Sequence, residues 1–95
     1  MKLLSVEPSE KQDKKYKATF QTDNNRKKTV HFGAKGYDDF TLTNSVEAKN
    51  RYRQRHAKDL KTNDPTKAGY LSYYLLWNKP TLTASISDYR KMFNL

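Results

Sequence analysis

Between Tyr16 and Phe32 the apolar side chains fall on every second position, and late in the chain they fall at steps of three and four. A period of two belongs to a strand with one buried face, and a period near 3.6 to a helix with one buried stripe, so the chain must change from sheet to helix part-way along. "KLLSV" at 2–6 is a short apolar strand, and "YKATF" puts Tyr16, Ala18 and Phe20 on one side. "KTVHF" does the same with Val30 and Phe32, and the turn "DNNRK" between these runs makes residues 15–34 a β-hairpin. The polar stretch 7–14, "EPSEKQDK", reads as a mobile loop. "GAKGYDD" at 33–39 reads as a structural turn, its two glycines free to adopt positive φ. It lacks the Gly-x4-Gly-Lys-Ser/Thr spacing of a phosphate loop.

Three helical segments follow. The first, from Asn44 to Lys61, pairs Asn44 with Glu47 in a capping-box spacing. At ~100° per residue, Val46, Ala57 and Leu60 mark its expected buried side, Arg51, Arg55 and Lys58 gather opposite, and Tyr52 and His56 lie on the flank. Arg53 falls beside the buried stripe. In the second, Asp64 caps, Pro65 takes the first helical position and Pro80 closes the run. Leu71 and Leu75 with Tyr70, Tyr74 and Trp77 make it the expected centre of the core. The third carries Leu82, Ile86, Tyr89 and Phe93 at steps of four, three and four. The class is therefore α+β: a small N-terminal antiparallel β-meander of about three strands packed with about three α-helices, all in one domain over residues 1–95.

Nineteen Lys and Arg against ten Asp and Glu give a formal charge of +9, which attracts polyanions: DNA, RNA, an acidic protein surface or an anionic membrane. With no cysteine, disulfides, thiolate metal sites and cysteine nucleophiles are excluded, and a reducing compartment is expected. No run approaches the ~18 apolar residues of a membrane span. The first residues lack a signal-peptide core, so secretion by that route is not expected.

Chemistry-bearing groups are sparse. His31 and His56 have no companions of metal-ligating type, Asp38 and Asp39 suit a turn or cap, and Ser72, Ser85 and Ser87 have no base near them, so neither catalysis, a cofactor nor a small-molecule substrate is expected. Between Asn44 and Lys61 six basic residues stand against two acidic ones, an electrostatic footprint shared with helical DNA binders. The apolar helix that follows cannot be a recognition helix, so contact through Arg51, Arg55 and Lys58 would be to phosphates and independent of sequence. Of the aromatic series, Tyr73 is the ring expected to be left for a partner.

The runs "KTVHFGAKGYDDFT", "KNRYRQRHAK" and "AGYLSYYLLWNKPTLTASISDYRKMF" resemble a family of short basic proteins of uncharacterised function encoded by large and giant DNA viruses, including those of algae. The similarity spans about Lys28 to Phe93 and is carried mainly by "VHFGAKG" and "LLWNKPTLTASISDY". It implies a viral product of a cytoplasmic or nuclear factory, packaged in the particle. Relatives begin the basic helix with mixed charges, where this chain has Asn44 and Ser45. The expectation is a non-enzymatic minor capsid or cement protein that meets larger viral capsid proteins through Arg51, Arg53, Arg55, Lys58 and Tyr73. An unpaired strand edge would add a strand-pairing contact. The alternative is a virion or factory protein that neutralises DNA phosphates.

Overall fold

In the computed structural model, which describes residues 1–95, an N-terminal three-stranded antiparallel sheet is followed by four helices, an α+β fold. The strands are β1 (Lys2–Pro8), β2 (Lys14–Gln21) and β3 (Lys27–Ala34), in the spatial order β1-β2-β3. Val6, Ala18 and Val30 line up across the sheet, and Pro8, Tyr16 and Phe32 form the neighbouring row. These rows lie on the face that carries buried Ala18 and Phe32, as the alternation requires.

The first strand contains an irregularity that the alternation hides. Its register with β2 shifts between Leu3 and Ser5, so Leu3 opposite Phe20 and Val6 opposite Ala18 both point to the core despite their odd spacing. Leu4, the extra residue, is left exposed.

The connection between β1 and β2 is Ser9–Asp13; residues 7, 8 and 14 of the segment expected to be a mobile loop belong to the strands. Ser9 is buried, its amide donates to Lys15 O at 3.0 Å, and its Oγ shares a 2.7 Å hydrogen bond with His31 Nδ1.

The helical half covers the sheet. Helix α1 (Phe40–Thr43) is a single turn, an element the sequence reading did not contain. Asp39 caps it by accepting from Thr41 N at 2.9 Å, and Asn44 ends it with φ 55°. Asn44 is thus spent as a C-cap, and α2 (Val46–His56) is capped instead by Ser45, whose Oγ accepts from Ala48 N. A 3₁₀ segment, Ala57–Thr62, continues α2.

The second expected helix starts later than Pro65. Asp64 accepts from the Thr66 amide and hydroxyl in a turn, and α3 (Ala68–Leu71) begins only after Lys67. It runs directly into a π-helical turn, Ser72–Leu76, in which the winding widens to i→i+5. Helix α4 (Leu82–Phe93) spans the run from Leu82 to Phe93 that carries the expected apolar stripe, with Thr81 as N-cap.

The core forms where the sheet face meets α3, the π turn and α4: Leu3, Ala18, Phe20, Phe32, Leu71, Leu75, Leu76 and Tyr89. Burying each large apolar side chain contributes about 1.5–3 kcal/mol relative to exposure. Gly33, at φ +80°, lets β3 pass against this layer; a Cβ there would lie 2.9 Å from Leu76 Cδ1 and 3.2 Å from Lys15 Cβ. Arg90 ties α4 back to the sheet by donating to Leu3 O at 2.9 Å.

Tyr89 is fully buried, and its hydroxyl donates to Pro65 O. Burial pushes its phenol well above the ordinary range, as it does more modestly for Tyr52 and Tyr74. An unfolded phenol ionises near pH ~10, whereas these resist in the folded state, so the stability they supply is complete below ~10 and is lost as pH rises beyond it. In an alkaline titration, the phenolate absorbance of Tyr52, Tyr74 and Tyr89 should appear only together with loss of far-ultraviolet circular dichroism; their complete ionisation near pH ~10 with the fold intact would contradict the placement of these rings.

Candidate functional site

The basic helix α2 is held by a flank different from the one its apolar residues mark. It has no buried residue; Val46 is 59% exposed and Ala57 is exposed, so neither forms the expected buried side. The half-buried residues are Ala48, Lys49, Tyr52, Arg53 and His56, a face rotated by roughly a fifth of a turn from the apolar stripe at ~100° per residue.

Arg53 is the centre of that contact. Its Nε donates to Trp77 O at 2.8 Å, and its terminal nitrogen donates to Asn78 Oδ1 at 3.3 Å. Its guanidinium lies 4.6 Å from the ring centre of Tyr73 and 5.6 Å from that of Tyr74. Asn78 is itself buried and donates to Asp88 Oδ2 at 2.7 Å, so one side chain links α2, the end of the π turn and α4. Arg53 and Tyr73, both expected to meet a partner, are therefore engaged with each other inside the chain.

Arg51, Arg55 and Lys58 are placed differently. All three are exposed, and none has an ion pair or a side-chain hydrogen bond. Of the nineteen Lys and Arg, only Lys15 and Lys17 are paired with a carboxylate. On the inner flank, Lys49 lies 5.0 Å from the ring centre of Phe40; desolvation lowers its pKa, and the nearby charges of Arg53 and Lys79 lower it further.

Beside α2 runs a cleft of about 450 Å³ that the sequence did not reveal. Its walls are the turn after β3, with Tyr37 and Asp38, the α2 residues Tyr52, Arg55 and His56, and Trp77 at the end of the π turn. Three rings stack along it. Tyr52 is the middle ring, 4.6 Å from Trp77 at an interplanar angle of 10° and 4.1 Å from His56 at 19°. His56 Nδ1 and Asp59 Oδ2 share a 2.9 Å contact that fixes the imidazole. On the opposite wall, buried Asp39 accepts from Lys15 Nζ at 2.6 Å. The i,i+4 spacing of Tyr52 and His56 was a legible hint of the stack; Trp77 joins only through the tertiary fold.

No group of three or more His, Cys, Asp or Glu comes together to hold a metal ion, and no helix is long and apolar enough to cross a membrane.

Residues 4–56 match the family described as Family of unknown function (DUF5754). The chain belongs to that family. The matched stretch holds nearly the whole sheet together with α1 and α2, and therefore Arg51, Arg53, Arg55 and the Tyr52–His56 pair. It stops short of Lys58, of the aromatic π turn and of α4. No curated protein and no solved structure matches the chain significantly.

The separate tasks of the arginines are measurable. Replacing Arg53 with Ala should cost about 2–3 kcal/mol in urea denaturation, because it strands the Trp77 carbonyl and Asn78 Oδ1 and removes two ring contacts. Arg53→Lys, which cannot reproduce the planar fork, should recover only part of that. Arg51→Ala and Arg55→Ala should each stay within ~0.5 kcal/mol. Equal losses at all three positions would show that Arg53 is not the anchor.

Proposed function

We propose that this protein is a non-enzymatic, sequence-independent nucleic-acid-binding protein that neutralises phosphates with the outer face of α2. The observation that carries this reading is the exposed group Arg51, Arg55 and Lys58, which has no carboxylate partner in a chain of formal charge +9. Arginines spaced one helical turn apart on a helix anchored from its other side form a rigid row of positive charge. The resemblance of "VHFGAKG" and "LLWNKPTLTASISDY" to proteins of large DNA viruses supports a virion or viral factory, in host cytoplasm or nucleus, as the setting.

A second reading, a minor capsid or cement protein, is favoured by a different observation. Tyr37 is 72% exposed and Leu42 65% exposed, and both line a shallow groove with Pro8. Exposed apolar groups beside charge suit a larger shell protein. With Arg53 and Tyr73 turned inward, these residues replace them as the anchors of such a contact.

Salt separates the two readings. If the α2 face neutralises three phosphates, affinity for duplex DNA should fall roughly fortyfold between about 50 and about 200 mM salt. Changing Arg51, Arg55 and Lys58 to Glu should abolish the binding. Weak binding, indifferent to both salt and the triple change, would overturn the phosphate reading and leave the apolar groove as the contact surface.

A further inference from the structure

We infer that the cleft beside α2 takes an unpaired nucleobase, so that the protein prefers single-stranded over duplex nucleic acid. This rests on the phosphate-binding reading above and names the form of polymer that the surface fits.

The ring stack supplies the platform. Trp77, Tyr52 and His56 lie nearly parallel in that order, and the terminal ring, His56, has a side chain 38% exposed and lines the cleft. A planar base laid on His56 continues a stack already built. Stacking of this kind is tolerant of sequence, since every base has a π face. The cleft's volume, about 450 Å³, suits one base with its sugar. Tyr37, exposed on the facing turn, is placed to cover it.

Charge decides which end of a nucleotide enters. Inside the cleft Asp39 is neutralised by Lys15, while Asp38 has no partner and opposes an entering phosphate. Arg55 lines the same cleft, with Arg51 one turn behind it and Lys58 just beyond. The base is drawn in and the backbone stays outside on the cations. A paired base, held within its duplex, cannot reach the stack.

The only tryptophan of the chain belongs to this stack, so its fluorescence reports on the cleft. The full chain should be titrated at low salt with a short single strand, a duplex of equal length, and an abasic strand with the same number of phosphates. The single strand should bind roughly tenfold more tightly than the abasic strand and the duplex, one stacked base being worth about that factor. Only the single strand should change the Trp77 emission. His56→Ala should bring single-strand affinity down to the abasic value while duplex affinity holds, and His56→Phe, which keeps a ring, should restore it. Because His56→Ala could also unseat α2, Tyr37→Ser gives an independent check at an exposed position and should weaken single-strand binding alone. Equal affinity for all three polymers, with Trp77 emission unchanged, would overturn the base-binding cleft while leaving phosphate neutralisation standing. No binding to any of them at low salt would overturn both.

Discussion

The arrangement of the helical half depends on how one cation is satisfied. A guanidinium withdrawn from water must recover its hydration from fixed partners, and Arg53 finds them in Trp77 O, Asn78 Oδ1 and the faces of Tyr73 and Tyr74. Helix α2 has no buried apolar residue, so little besides this contact and the Tyr52–Trp77 stack fixes it against the core. Through Asn78 the same side chain reaches Asp88 on α4. A polar clamp constrains direction in a way that an apolar contact does not, because its donors must meet particular oxygens. The cleft beside α2 inherits its shape from that restraint.

Much of the sheet was legible because a period of two allows only one buried face. Tyr16, Ala18, Phe20, Val30 and Phe32 lie where the alternation puts them, and α4 follows from the spacing of Leu82, Ile86, Tyr89 and Phe93 with a Thr81 cap. The bulge at Leu4 escaped the pattern, since one extra residue leaves no mark in composition. The face of α2 was misplaced for a more general reason: apolar counting assigns the inside to Val46, Ala57 and Leu60, and it cannot see that an arginine is half-buried against rings and carbonyls far along the chain. Asn44 suited either end of a helix, and only the short α1 turn, held by Asp39, decides that it closes one instead of opening the next.

Of the candidate surface, the sequence placed Arg51, Arg55 and Lys58 correctly on the outer side of their helix. It also set Arg53 apart, beside the expected buried stripe, yet still counted it among the partner contacts, whereas Arg53 is engaged inside the chain. Alternate arginines along a helix sit ~200° apart, so a run of the form Arg-x-Arg-x-Arg cannot present one continuous face. Here that geometry divides a single charge cluster into a structural member and surface members.

The π turn gives the chain's length a meaning there. A π-helical turn is what results when one residue is added to an α-helix and the surplus is absorbed locally. Five residues of π-helix sweep about the same angle as four of α-helix, so deleting one residue between Ser72 and Leu76 would let the segment wind as ordinary α-helix with its flanks nearly in their present phase. The shorter turn would, however, carry one side chain fewer, and this turn seats Leu75 and Leu76 under the sheet and Tyr73 and Tyr74 beside Arg53. Substitutions along it can be absorbed one side chain at a time, whereas a lost residue leaves either the core or the clamp a group short. In this part of the chain, the number of residues is held more tightly than their identity.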